Sequence, residues 1–89
     1  MNKQVIYSTK FQKHYSKRIL NQKNLLRKVE KRVELFCINP NDPLLNNHRL
    51  KGEKNLLSSF SVTGDYRIIY REYSDHYSFL DIGTHNQVY

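Results

Sequence analysis

The sequence predicts an α+β domain of order strand, helix, helix, strand, strand, strand, with an antiparallel sheet covered on one face by an α-helical hairpin. Three observations predict it. Apolar residues recur at helical spacing as far as residue 38, Pro40 and Pro43 then interrupt the chain, and the apolar residues beyond them alternate in twos. At 89 residues the chain is a single domain, 1–89, able to bury roughly 60–65% of its unfolded surface.

Gln4-Val5-Ile6-Tyr7 is a short β-branched and aromatic run and reads as the first strand. Ser8 or Thr9 offers an N-cap for the helix that follows. Phe11, Tyr15 and Ile19 fall at i, i+4 and i+8 and form its apolar stripe, with Lys10, Lys13, Lys17 and Arg18 off that stripe. Asn21 breaks the pattern and is placed to cap a second helix. From Gln22 to Ile38, Leu26, Val29, Val33 and Phe36 repeat every three to four residues, opposite Lys23, Arg27, Lys28, Lys31 and Arg32. Asn39-Pro-Asn-Asp-Pro43 ends that helix, and the two helices make a hairpin. The period then changes. Leu57-Ser-Ser-Phe-Ser-Val-Thr63 alternates, Gly64-Asp65 supplies a turn, and Tyr66-Arg-Ile-Ile-Tyr-Arg-Glu72 reads as a strand. Ser74-Asp75-His76 marks another turn before Tyr77-Ser-Phe-Leu-Asp-Ile82, the last strand. Short turns between these three strands call for an antiparallel meander.

Charge is the first functional clue. The net value is +7 with a pI near 9.7. Residues 1–32 carry ten Lys and Arg against one acid, Glu30, whereas residues 33–89 carry five against seven. Such asymmetry suits a surface that meets phosphate backbones, although a solvated lysine-rich helix face would show the same composition. Cys37 is the only cysteine, which excludes an intramolecular disulfide and a cysteine-built zinc site. No apolar run nears the roughly 20 residues of a membrane span. MNKQVIYSTK has no long apolar core and no small-residue cleavage site, so a cytoplasmic location is expected.

There is no phosphate-binding loop, dinucleotide fingerprint, zinc-protease helix or nucleophile elbow. What remains is a set of polar residues on or beside the sheet, His48, Arg49, Lys51, Asp65, Tyr66, Arg67, Arg71, His85 and Tyr89. Metal-free RNA cleavage needs a base for the 2′-hydroxyl, cations for the phosphorane charge and an acid for the departing 5′-oxygen. Histidine suits both proton transfers, and His48 and His85 flank the strands from either side. Each residue also has a plainer reading. His48 after Asn46-Asn47 reads as a loop residue, Asp65 as a turn former, Arg67 and Arg71 as strand cations, and the tyrosines as half-buried core. His14 and His76 read as ordinary surface residues.

Three segments together, His48-Arg-Leu-Lys-Gly52, Ser61-Val-Thr-Gly-Asp65-Tyr-Arg-Ile-Ile-Tyr70 and Ile82-Gly-Thr-His85-Asn-Gln-Val-Tyr89, resemble the YafQ branch of the RelE/ParE toxin superfamily. With the preceding strand and basic hairpin, the resemblance covers nearly the whole chain. It implies a RelE-like fold and a toxin of a type II toxin–antitoxin system. Such a toxin enters the ribosomal A site and cuts translated mRNA without metal or other cofactor, leaving a 2′,3′-cyclic phosphate or its hydrolysed form. It implies catalytic residues His48, Asp65 and His85, with His85 as general acid and either His48 or Asp65 as base. Arg49, Lys51 and Arg67 are candidates for phosphate stabilisation, and Tyr66 and Tyr89 for stacking on or positioning the base. Some members of the family carry a further histidine where this chain has Ser61, and serine cannot shuttle a proton near neutral pH. The implied partners are mRNA, ribosomal RNA gripped by the basic helices, and an acidic antitoxin that folds on binding and carries the pair to operator DNA. The ParE members poison DNA gyrase on the same scaffold, and that is the alternative activity.

Overall fold

A computed structural model describes residues 3–89, the side chain of residue 53 apart. The elements run β1 (Gln4–Tyr7), α1 (Thr9–Arg18), α2 (Lys23–Ile38), β2 (His48–Arg49), β3 (Ser58–Ser61), β4 (Tyr66–Glu72), β5 (His76–Thr84) and a closing helical turn, α3 (His85–Val88). The expected strand–helix–helix–meander order is present. The two-residue β2 and the turn α3 are additions that the sequence pattern was too short to declare. No helix among the described residues is long and apolar enough to cross a membrane.

Ser8 caps α1, its hydroxyl accepting from the Phe11 N–H at 3.0 Å, and Lys17 and Arg18 in the last turn complement the helix dipole. The expected cap of α2 shifts by one residue. The turn after α1 closes with Gln22 N–H donating to the Ile19 carbonyl, which leaves Gln22, not Asn21, extended at the cap position without a side-chain bond. Asn39, held in an extended conformation ahead of Pro40, ends α2 as expected.

The five strands form one sheet in the order β1-β5-β4-β3-β2. The meander β3-β4-β5 is antiparallel, and β2 adds antiparallel to β3. Strand β1 departs from the antiparallel expectation and pairs in parallel with β5, Gln4 opposite His76 through Tyr7 opposite Phe79. The long helical hairpin makes this possible, because it carries the chain from one edge of the sheet to the other before the meander begins.

Phe36 binds the layers together. Its ring is fully buried, 4.5 Å from Phe60, 4.9 Å from Tyr70, 4.8 Å from Tyr77 and 5.6 Å from Phe79, so one helical side chain touches β3, β4 and β5. Phe11, Ile19, Leu25, Val29, Leu45, Val62, Ile68 and Ile82 complete the core. In α2 it is Leu25 that is fully packed, and Leu26 and Val33 are half-buried at its margin.

Helix α1 also lies along the part of β5 that β1 leaves uncovered. Ser8 Oγ donates to the Leu80 carbonyl at 3.1 Å and Arg18 Nη1 to the Ile82 carbonyl at 2.9 Å, satisfying backbone groups on an open edge. Asp81, nearly buried between them, takes His14 Nδ1 at 2.5 Å, with Lys10 and Arg18 each at 3.6 Å. His14 is therefore not the ordinary surface residue expected; it ties α1 to β5.

Replacing Phe36 by alanine is expected to remove about 3–5 kcal/mol of stability, because a cavity opens where three strands meet the helix. The urea midpoint of the purified protein will fall accordingly.

Candidate functional site

Strand alternation decides which residues share a face. On β4, Ile68 and Tyr70 belong to the core beneath the helices, so Arg67, Ile69 and Arg71 occupy the opposite, open face. Register carries that face across the sheet. Ser61, Arg67 and Gly83 lie side by side, and His48 stands directly opposite Ser59, which is opposite Ile69. His48 thus lies in a strand at the sheet edge, not in the loop that its neighbours Asn46 and Asn47 suggest.

The loop before it is firmly held. Asn46 turns the chain in the left-handed region at φ 45°, which asparagine tolerates. Asn47 donates to the Pro40 carbonyl and accepts from the Tyr70 phenol at 2.7 Å. Burial pushes that phenol's pKa up, the bond to Asn47 partly opposing it, so Tyr70 stays a neutral donor. Nδ1 of His48 lies 2.9 Å from the Asn46 carbonyl, which can only accept. In the tautomer that this contact favours, Nδ1 carries the proton and Nε2 is the acceptor.

At the other end of the face, α3 folds back over β4 and β5. A Cβ on Gly83 would meet Arg18 Nη1 at 2.6 Å and Gln87 Oε1 at 2.7 Å, so glycine lets the turn lie close against the strand. Thr84 and Gln87 form a capping box, and the His85 N–H donates to the Asp65 carbonyl at 3.1 Å. Tyr89 packs its ring 4.5 Å from that of His85 and donates its phenol to Ser59 Oγ at 2.6 Å.

A continuous series of contacts therefore links the three candidate catalytic residues. His48 faces Ser59, Ser59 holds Tyr89, Tyr89 packs on His85, and His85 is pinned to the backbone of Asp65. The side chains of His48, Asp65 and His85 are all exposed. Arg67 lies on the same face, and its Nε and Nη1 are sealed from solvent with no hydrogen-bond partner.

The alternation sets two of the candidates apart from the others. Tyr66, one residue before Arg67, faces the helices and borders a recess of about 420 Å³ with Lys23, Leu25, Lys28 and Thr63. Arg49, one residue after His48, pairs with Ser58 and so lies on the opposite face from His48. Lys51 is exposed in the loop beyond β2. Ser61 donates its hydroxyl to the Thr63 carbonyl at 3.1 Å and shapes the loop leading to Asp65. Burial raises the pKa of the Cys37 thiol, which keeps it a poor nucleophile. A larger recess, about 620 Å³, lies elsewhere, between the helices along Tyr7, Phe11, Tyr15, Leu20 and Val33. Among the described residues no three His, Cys, Asp or Glu side chains converge in a way that could hold a metal ion.

No family model matches the chain, and no curated protein matches it. Solved structures do. YafQ in the E. coli DinJ–YafQ toxin–antitoxin complex superimposes with a TM-score of 0.78 at 22% identity, over 100% of this chain and 99% of that one. A copper-bound mutant toxin from Helicobacter pylori gives 0.77 at 25% identity, over 98% and 99%. The chain has the fold of these toxins. A YoeB/ParE toxin from Agrobacterium tumefaciens extends the likeness, with a TM-score of 0.76 at 15% identity over 92% and 98%. The RelE/ParE resemblance read in residues 48–89 is thus matched by the fold of the whole chain.

Because His48, Asp65 and His85 are exposed and outside the core, alanine at each is expected to shift folding stability by no more than about 0.5–1 kcal/mol. Denaturant titration of the three variants checks this, and separates any loss of activity from loss of fold.

Proposed function

We propose that this protein is the toxin of a toxin–antitoxin pair, a metal-independent endoribonuclease that cuts translated mRNA in the ribosomal A site. The observation that carries the reading is the contact series from His48 through Ser59, Tyr89 and His85 to Asp65, on the open sheet face of a +7 protein. Toxins with this fold supply the context.

The chemistry follows from the groups. A base removes the proton from a ribose 2′-hydroxyl, and the oxygen attacks the adjacent phosphorus. The bond from phosphorus to the 5′-oxygen breaks, and an acid protonates that oxygen, leaving a 2′,3′-cyclic phosphate. His48 is the better-supported base, since the tautomer that its contact favours has Nε2 as the acceptor; Asp65 is the other candidate. His85 is the acid. Half-buried Arg67, on the same face, and exposed Lys51 are the candidates for the phosphorane charge. Ser61 is committed to its own loop, so two proton-transfer groups carry what some relatives divide among three.

The lysines and arginines of the helical hairpin suit ribosomal RNA, with affinity falling steeply as salt rises. A toxin of this charge needs masking in the cytoplasm, and an acidic antitoxin supplies it, as DinJ partners YafQ in the E. coli complex. That antitoxin would also take the pair to operator DNA.

Primer extension on mRNA from cells expressing the protein tests the reading, with cuts inside translated codons as the expected result. His85→Ala should abolish growth arrest and still form the antitoxin complex. Intact messages accompanied by DNA damage would instead indicate gyrase poisoning of the ParE kind.

A further inference from the structure

Ser59 sits in β3 with none of its surface exposed. A hydroxyl sealed from water inside a sheet has to find its hydrogen bond within the protein. It finds one far along the chain, where the Tyr89 phenol donates to it at 2.6 Å, short for a pair of hydroxyls. The same tyrosine presents its ring to the His85 imidazole, with centroids 4.5 Å apart and planes at 73°. That is the edge-to-face geometry aromatic rings prefer.

His85 needs such a neighbour. Its imidazole makes no hydrogen bond among the described residues, whereas the rings of His14, His48 and His76 each make one. The bond from its N–H to the Asp65 carbonyl fixes the backbone and leaves both side-chain torsions free. The direction of the ring is left to Tyr89, and the place of Tyr89 is left to Ser59.

We propose that Ser59 and Tyr89 are positioning residues for His85: the hydroxyl pair anchors the tyrosine, and the tyrosine ring aims the imidazole across the open face. The inference rests on the reading of His85 as the proton donor. It changes the role expected of Tyr89, whose phenol is tied to β3 and whose ring is engaged with His85, leaving it poorly placed to follow a nucleotide base. A general acid must come within about 2.6–3.2 Å of the oxygen it protonates. A misplacement of about 1 Å can cost on the order of 100-fold in rate. The hydroxyl pair is thus a small contact with a large kinetic consequence.

The test compares Ser59→Ala, Tyr89→Phe and the double variant. All three keep the shape of the side chains, and urea titration will verify that they fold. On ribosomes programmed with a defined mRNA, each single variant should lose about 10–100-fold in single-turnover cleavage rate, with the concentration for half-maximal rate changed less than about twofold. The double variant should be no slower than either single one, since all three lack the same bond. In the free proteins the His85 ring resonances should shift in all three variants. Unchanged cleavage and unchanged His85 resonances would overturn the proposal. So would multiplying defects in the double variant. Weakened mRNA engagement at an unchanged maximal rate in Tyr89→Leu would also overturn it, by assigning the tyrosine to base stacking. If the parent protein cuts no message at all, the nuclease reading fails, and the His85 resonances alone decide whether the pair aims the ring.

Discussion

The whole arrangement depends on the Phe36 ring filling the space between α2 and the meander. A domain of 89 residues has room for one compact core, and here it lies entirely between the helices and one side of the sheet. Once Phe36, Phe60, Tyr70 and Phe79 have taken that side, the alternation of β4 leaves Arg67 and Arg71 nowhere to go but the other. The open polar face is thus the necessary counterpart of the core. The proposed function is assigned to the side of the sheet opposite the hydrophobic core.

That face still has to be held in shape, and polar contacts do it. On one flank, α1 caps free carbonyls of β5 through Ser8 and Arg18 and gathers Lys10, His14 and Arg18 around Asp81. A buried carboxylate is costly alone and acceptable only when paired and hydrogen-bonded. Asp81 meets both conditions, because its Oδ1 also accepts from the Ile82 N–H at 2.8 Å. On the other flank, Asn47 and Tyr70 fix the approach to His48. The second flank therefore delivers His48 from a rigid support, whereas the candidate catalytic side chains themselves stay exposed.

Much of the fold was legible because its signals were long. Two helical stripes of ten and sixteen residues, and alternating runs bounded by Gly64-Asp65 and Ser74-Asp75, leave little freedom in element type. Strand β2, only His48 and Arg49, is too short to show any period, so His48 read as a loop residue. The parallel partner of β1 was hidden, since pairing between the two ends of the chain leaves no local mark. At the site, residue identities came from the resemblance, while their grouping came from register. Tyr66 shows the difference. Ile68, Ile69 and Tyr70 are consecutive apolar residues, so the phase of β4 is ambiguous in the sequence, and only the packing shows that it is Tyr66, and not Arg67, that takes the helix side. Ser59 left no signal at all, because a buried serine in a run of serines resembles any other.

The central claim is that the face bearing His48, Ser59, Arg67 and His85 meets a single scissile phosphodiester. The most direct measurement is an electron cryo-microscopy structure of the protein on a ribosome programmed with mRNA blocked by 2′-O-methyl groups. The account predicts one phosphate held between the imidazoles of His48 and His85, on the Arg67 side of the sheet. Messenger RNA lying against the helical face, or reaching only one of the two rings, would contradict it.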